Sequence, residues 1–171
     1  MRHNNHIIKL VTAALMAALT CVVTMLVPIK IPFGNGGYIH PGDAFVLLSG
    51  IILGPVYGAF SAGIGSMMAD VLSPYIMYAP ATFIIKFLAA LTASYSYRLI
   101  RKGSVLIAGA LSGFIVTIGY LFCDSIFYGT LQTAVVAVPF NLLQNIIGTV
   151  LAIIILPLLM KVPQIRQMVK N

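Results

Sequence analysis

Apolar stretches run the length of the chain, broken at intervals by Gly, Pro and charged residues, and cutting at those breaks yields six segments. They are Ile7–Val27, Gly42–Leu53, Pro55–Leu72, Pro80–Ile100, Ser104–Tyr128 and Thr133–Met160. A helix that crosses a bilayer needs roughly 20 apolar residues, with about 17 to 25 tolerated. Four segments fall in that range and the sixth exceeds it; the second is short, which leaves open that residues 42–72 form one re-entrant unit turning at Gly54-Pro55. The first segment is longer than the roughly 7–15 residues of a signal-peptide core and lacks a small-x-small cleavage site, so it is expected to stay on the mature protein.

Composition agrees. Of 171 residues, 60% are hydrophobic and 8% charged, against about 25% charged in soluble globular domains. The mean hydropathy of +1.05 excludes a soluble domain. The net charge of +7 does not point to nucleic acid, because the basic residues fall mostly between apolar runs, where positive charge sets membrane orientation. If all six segments cross, one side holds Arg2, Lys9, Arg98, Arg101, Lys102, Lys161, Arg166 and Lys170, eight of the ten basic residues, and the other only Lys30. Removing one crossing would split that group between the two faces. The economical reading is an all-α membrane protein: one compact six-helix bundle over residues 1–171, both termini cytoplasmic. Cys21 and Cys123 lie inside apolar stretches without the neighbours a metal site or disulfide framework needs, and read as small core residues. No internal repeat suggests an inverted-repeat transporter.

The polar residues inside the segments carry the functional signal. There is no glutamate, and all three acids, Asp43, Asp70 and Asp124, fall within or at the ends of segments. Lys86 sits about two turns into segment four, while Asn141, Gln144 and Asn145 share one face of segment six at i, i+3 and i+4. In the six-crossing topology all of these gather in the outer leaflet, where intramembrane polar groups face a cavity or a partner. The outer loops PIKIPFGNGGYIHP and SPYIMYAP contribute Asn35, Tyr38 and His40, and Tyr75 and Tyr78, with Tyr128 at the end of segment five. Aromatic loops above a polar half describe a lidded small-molecule pocket. Each residue also has a plainer reading. Lys86 and one aspartate form a buried ion pair that fixes helix packing, Asp43 suits a helix start, the tyrosines make an interfacial belt, His40 is a loop residue, and the amides join helices.

The inner half differs. Segment one carries Ala13, Ala14, Ala17 and Ala18 in two overlapping AxxxA spacings, and segment three has Gly58, Ala59, Ala62, Gly63 and Gly65, residues that let helices approach closely. Packing within the bundle and docking of a partner helix both fit the alanines. No HExxH, phosphate loop or Ser-His-Asp set in plausible order is present, so the chain is read as no enzyme and without means to use ATP itself.

The AxxxA of segment one, the stretch GYIHPGDAFVLLSGIILGPVYGAFSAGIGSMMADVLSP and the PFNLLQNIIG of segment six resemble the substrate-binding S component of energy-coupling factor (ECF) vitamin transporters, over roughly Ile7 to Leu158. The resemblance implies a multi-pass protein of a bacterial cell membrane that captures a vitamin at its outer face and closes its first and third loops over it. Its partners are then a transmembrane coupling protein and two cytoplasmic ATPase subunits, which alone use ATP. Ala13, Ala14, Ala17 and Ala18 would face the coupling protein. Within the family the chain is most similar to the riboflavin-type group, which includes members for vitamin B6 and for hydroxymethylpyrimidine. A pocket with Lys86, three acids and tyrosines suits pyridoxine: an aspartate for the ring nitrogen, the lysine for the phenolate, Asn or Gln for the hydroxymethyls, and tyrosines to stack. Substrate-binding residues on this reading are Asn35, Tyr38, His40, Asp43, Asp70, Tyr75, Tyr78, Lys86, Asp124, Tyr128, Asn141, Gln144 and Asn145. Hydroxymethylpyrimidine and riboflavin are the alternatives. Of other classes, a structural membrane protein without ligand and a stand-alone channel or secondary transporter remain.

Overall fold

The computed structural model describes residues 2–26, 29–30, 38–100 and 104–170. The described residues form eight α-helices: α1 (Arg2–Leu26), α2 (Asp43–Leu53), α3 (Pro55–Val71), α4 (Ala79–Leu99), α5 (Val105–Phe127), α6 (Leu131–Val135), α7 (Val138–Leu159) and α8 (Pro163–Lys170). A two-residue antiparallel ladder, β1 (Ile29–Lys30) with β2 (Tyr38–Ile39), fastens the loop between α1 and α2, and a 3-10 turn at Ile76–Tyr78 leads into α4.

The centre of the bundle is α2. Ten of its eleven residues are buried, Phe45 being the exception, because α1, α3, α4, α5, α7 and α8 all pack against it. At 1.5 Å per residue it is about 16 Å long, half of a hydrocarbon core of about 30 Å. An element this short, apolar on every side, is stable only inside the protein. It ends at Gly54, whose φ of +88° is open to glycine at little cost, and Pro55 starts α3 in the first turn, where a proline displaces no hydrogen bond. Residues 42–72 therefore form a helical hairpin pivoting at Gly54-Pro55.

Close approaches build the rest. A Cβ on Gly50 would strike the Ala90 carbonyl, one on Gly58 the Ser49 carbonyl, and one on Gly65 the Ala17 carbonyl, so α4, α3 and α1 meet backbone to backbone at these points. Arg98 closes the inner end of α2: its guanidinium reaches the Gly50 and Ile51 carbonyls at 3.4 Å each while Ser94 Oγ accepts from it at 2.7 Å. The outer surface is apolar, with Leu10, Leu15, Leu106, Phe114, Phe122, Ile146 and Ile154 exposed. A folded chain with this surface is built for lipid.

Among the described residues, four helical stretches are long and apolar enough to cross a membrane: His6–Leu26, Ile76–Leu99, Val105–Phe127 and Leu131–Leu159. The segments expected from sequence correspond closely to α1 through α5. The sixth is divided: Thr130 caps the short α6, accepting from Thr133 N at 3.4 Å, and α7 begins anew with Pro139 in its first turn. The β1–β2 ladder, the 3-10 turn and α8 went unforeseen. The ladder and the turn are too short to show a periodic pattern, and α8 is too short and polar to register as a span.

Candidate functional site

The polar site is anchored where α2 begins. Gly148 lets α7 lie against this end, since a Cβ there would come within 3.0 Å of Asp43 Cβ. Gln144, one turn away on α7, then reaches over the α2 terminus. Its Nε2 donates to Asp43 Oδ2 at 2.9 Å, and its Oε1 accepts from the His40 backbone N–H at 3.1 Å. Lys86 of α4 donates to Asp43 Oδ1 at 2.5 Å. One carboxylate thus ties three helices to the loop that ends in β2. Gly42 N–H donates to His40 Nδ1 at 3.2 Å, which leaves the ring proton on Nε2, and Thr24 of α1 lies 3.4 Å from the same nitrogen. Burial pushes the His40 imidazole from its usual 6.5 down to about 4; the Asp43 charge opposes that shift and the Lys86 charge adds to it.

Lys86 is 1% exposed, and its ammonium sits 5.3 Å from the centroid of the Tyr120 ring. That ring adds a cation–π contact on a side where the lysine could meet no water. The Tyr120 hydroxyl lies 3.0 Å from Thr82 Oγ1. Pairing and burial together make this layer an internally satisfied ion pair, the arrangement in which a charge can persist inside a bundle.

A second cluster lies about one turn beyond Thr82 and Tyr120, where the 3-10 turn enters α4 and where α5 ends. The Tyr78 hydroxyl donates to Asp124 Oδ1 at 2.8 Å and stands 3.0 Å from the Tyr128 hydroxyl. The Tyr78 ring meets Phe127 edge-on at 4.9 Å between centroids. Tyr78 is half-buried and Tyr128 exposed, so this layer is accessible where the ion pair is not.

The other residues singled out from sequence take distinct places. Asp70 is buried at the end of α3, and Tyr75 is half-buried in the turn that follows. Asn145 faces α5, donating to Gly113 O at 2.9 Å and Thr117 Oγ1 at 3.1 Å. Asn141 is half-buried, and no hydrogen bond among the described residues joins it to either cluster. Asn35 lies outside the described residues, and Tyr38 is described only by its backbone. On α1, Ala13 is buried and its carbonyl accepts from Ser61 Oγ at 2.8 Å; Ala17 packs at Gly65, whereas Ala14 and Ala18 are exposed. The acid at the start of α2 makes no cap: Gly42 is the N-cap residue, and the Asp43 carboxylate is used by Lys86 and Gln144.

Sequence reasoning missed Thr82 and Tyr120, each four residues before a residue it did single out, Lys86 and Asp124; the i, i+4 spacing was the available signal. It also missed Gly109 and Gly113, a GxxxG pair on α5 packed on Thr149 and Asn145 of α7. Beside that crossing lies a cavity of about 10 Å³ lined by Asp43, Ser112, Asn145 and Thr149 among others. Its size admits about one water.

A lipid-facing helical bundle with its acids and paired lysine at one end defines a multi-pass membrane protein with a polar site. The family model described as "ECF-type riboflavin transporter, S component" matches residues 4–161. The chain belongs to this family, and so is the S component of an ECF-type vitamin transporter, a substrate-binding transport subunit rather than an enzyme. A solved structure, "Structure and mechanism of the S component of a bacterial ECF transporter", shares the fold with a TM-score of 0.66 at 21% identity, over 90% of this chain and 95% of that one. A Pyrococcus woesei protein described as "Uncharacterized protein in gap 3'region" is 34% identical over 109 residues, 63% of this chain and 72% of that protein.

Proposed function

We propose that the chain captures vitamin B6, pyridoxine and its vitamers, at the end of the bundle where α2 begins. The observation that carries this reading is the half-buried Tyr78, whose hydroxyl links the Asp124 carboxylate to the exposed Tyr128. A carboxylate there suits a protonated ring nitrogen, and the phenol rings suit a small aromatic ring. Asp43, Lys86 and Gln144 form the floor below, holding α2, α4 and α7 in register, while Asn141 and the loop carrying Asn35, Tyr38 and His40 supply hydroxyl partners and a cover. On this reading Asp70 and Tyr75 add to the same substrate site.

On this reading the bundle crosses six times, with α2 and α3 as the two short members and both termini in the cytoplasm of a bacterial cell. Import is driven by ATP in two partner ATPase subunits through a transmembrane coupling protein. Ala14 and Ala18, exposed on α1, are the alanines open to that protein, with Ala13 and Ala17 setting the helix on α3 behind them. Riboflavin is the second reading, favoured by the description of the family.

Calorimetry of the purified chain with pyridoxine, hydroxymethylpyrimidine and riboflavin tests the choice. One-to-one binding of a B6 vitamer, weakened by Asp124→Asn, supports the proposal. Preferential binding of either other compound replaces the substrate.

A further inference from the structure

After α7 the chain turns through Met160–Val162, with Lys161 N donating to Leu158 O at 3.2 Å and Val162 N to Leu159 O at 3.0 Å. It then doubles beneath the bundle as α8. The inward side of α8 is apolar: Met168 is buried, and Ile165 and Val169 pack with it on the cluster that holds the inner half of α2. The other side is cationic. Arg166 and Lys170, at i and i+4, are exposed, as is Lys161 on the turn.

Two further observations say what meets this face. All three acids of the chain lie toward the opposite end, and the one ion pair among the described residues is Lys86–Asp43, so none of these three cations has an internal counter-ion there. The lipid-facing surface also ends here: Ile154, Leu158 and Val162 are exposed apolar residues leading directly to Lys161 and α8. Cations at the rim of an acyl-facing surface sit at the depth of phospholipid phosphates. An acidic protein would match the charge, but it would not match the apolar surface running into it.

We propose that Lys161, Arg166 and Lys170 form a binding surface for the phosphates of anionic phospholipids, with α8 lying in the membrane interface as a strap under the short α2. Bound lipid would hold the strap against the bundle, covering the place where α2 stops short.

The test is native mass spectrometry of the full chain released from neutral detergent, titrated with phosphatidylglycerol, phosphatidylcholine or inorganic phosphate, at low and raised salt. Phosphatidylglycerol should be retained over phosphatidylcholine, less so at raised salt, and inorganic phosphate should not displace it at millimolar concentration. Each of Lys161→Gln, Arg166→Gln and Lys170→Gln should lower phosphatidylglycerol affinity about 5-fold, while Lys161→Arg and Lys170→Arg keep it. Equal retention of the two lipids, or a triple Gln variant that binds phosphatidylglycerol like the parent, overturns the proposal. Full displacement by phosphate would mark a free-anion site, and unchanged lipid binding with lost assembly onto the ATPase subunits would mark a protein-docking face; either also overturns it.

Discussion

The two ends of α2 are held by opposite means. At its start, a carboxylate, an ammonium, an amide and a backbone N–H from four elements converge within hydrogen-bonding distance. At its finish the contacts are glycine against backbone carbonyl, with a single arginine closing the helix over its last carbonyls. Hydrogen-bonded charge is directional, and it fixes both the angle and the register of the parts it joins. Close packing of small residues fixes distance and leaves the outer faces of those helices free to meet other surfaces. The first arrangement suits an end that must present a shaped site. The second suits an end that serves as a platform.

The largest effect should come from unbalancing the charged end. Lys86→Met leaves the Asp43 carboxylate buried opposite a methyl group, and should cost about 3–5 kcal/mol. The loss is read from the midpoint of thermal unfolding in detergent. Adding Asp43→Asn should recover much of it; if the double variant is no more stable than the single, the pair does not act as a unit. At the other end, Gly50→Ala drives a Cβ into the Ala90 carbonyl and should cost about 1–3 kcal/mol through separation of α2 from α4. An unchanged unfolding midpoint would show that the helices can part freely at this point.

A pH titration sharpens the comparison further. His40 is held neutral, with a value of about 4 against 6.5 when unfolded. The unfolded chain therefore binds the extra proton first, and stability present above about 6.5 is lost as the pH falls toward 4. His40→Gln should flatten that slope without moving the Gly50→Ala effect. The smallest stability effect is expected on α1: Ala14→Leu enlarges an exposed side chain and should shift stability by less than about 0.5 kcal/mol. It should nevertheless impair assembly with a coupling protein in a pull-down, and normal assembly would remove Ala14 from that interface.

The same contrast explains how far the sequence could be read. Helices α1 to α5 followed from apolar length and Gly-Pro punctuation, because a bilayer demands both. That acids, Lys86 and Gln144 gather at one end also followed, since position along each helix fixes depth. Which acid meets Lys86 did not, because partner choice depends on helix rotation, set here by Gly50 against Ala90 and Gly148 against Asp43. Tyr78 stood in an outer loop and Asp124 in segment five, 46 residues apart, and only the fold brings the phenol to the carboxylate. The interruption between α6 and α7 escaped notice because Val135 to Val138 is as apolar as the helices on either side, so hydropathy carries no mark of it. A short amphipathic element such as α8 stays hidden for the opposite reason: its apolar residues are too few to read as a span.

The central claim is that the polar end captures a small aromatic vitamin through Asp124 and its two tyrosines. Isothermal titration of the purified chain with pyridoxine, run in parallel on Asp124→Asn and Ala14→Leu, tests it most directly. The account predicts one-to-one binding that Asp124→Asn weakens by about tenfold or more, as expected for loss of a charge-assisted hydrogen bond, and that Ala14→Leu leaves unchanged. Binding of equal strength in the Asp124→Asn variant, or weakened by Ala14→Leu to the same degree, would contradict it.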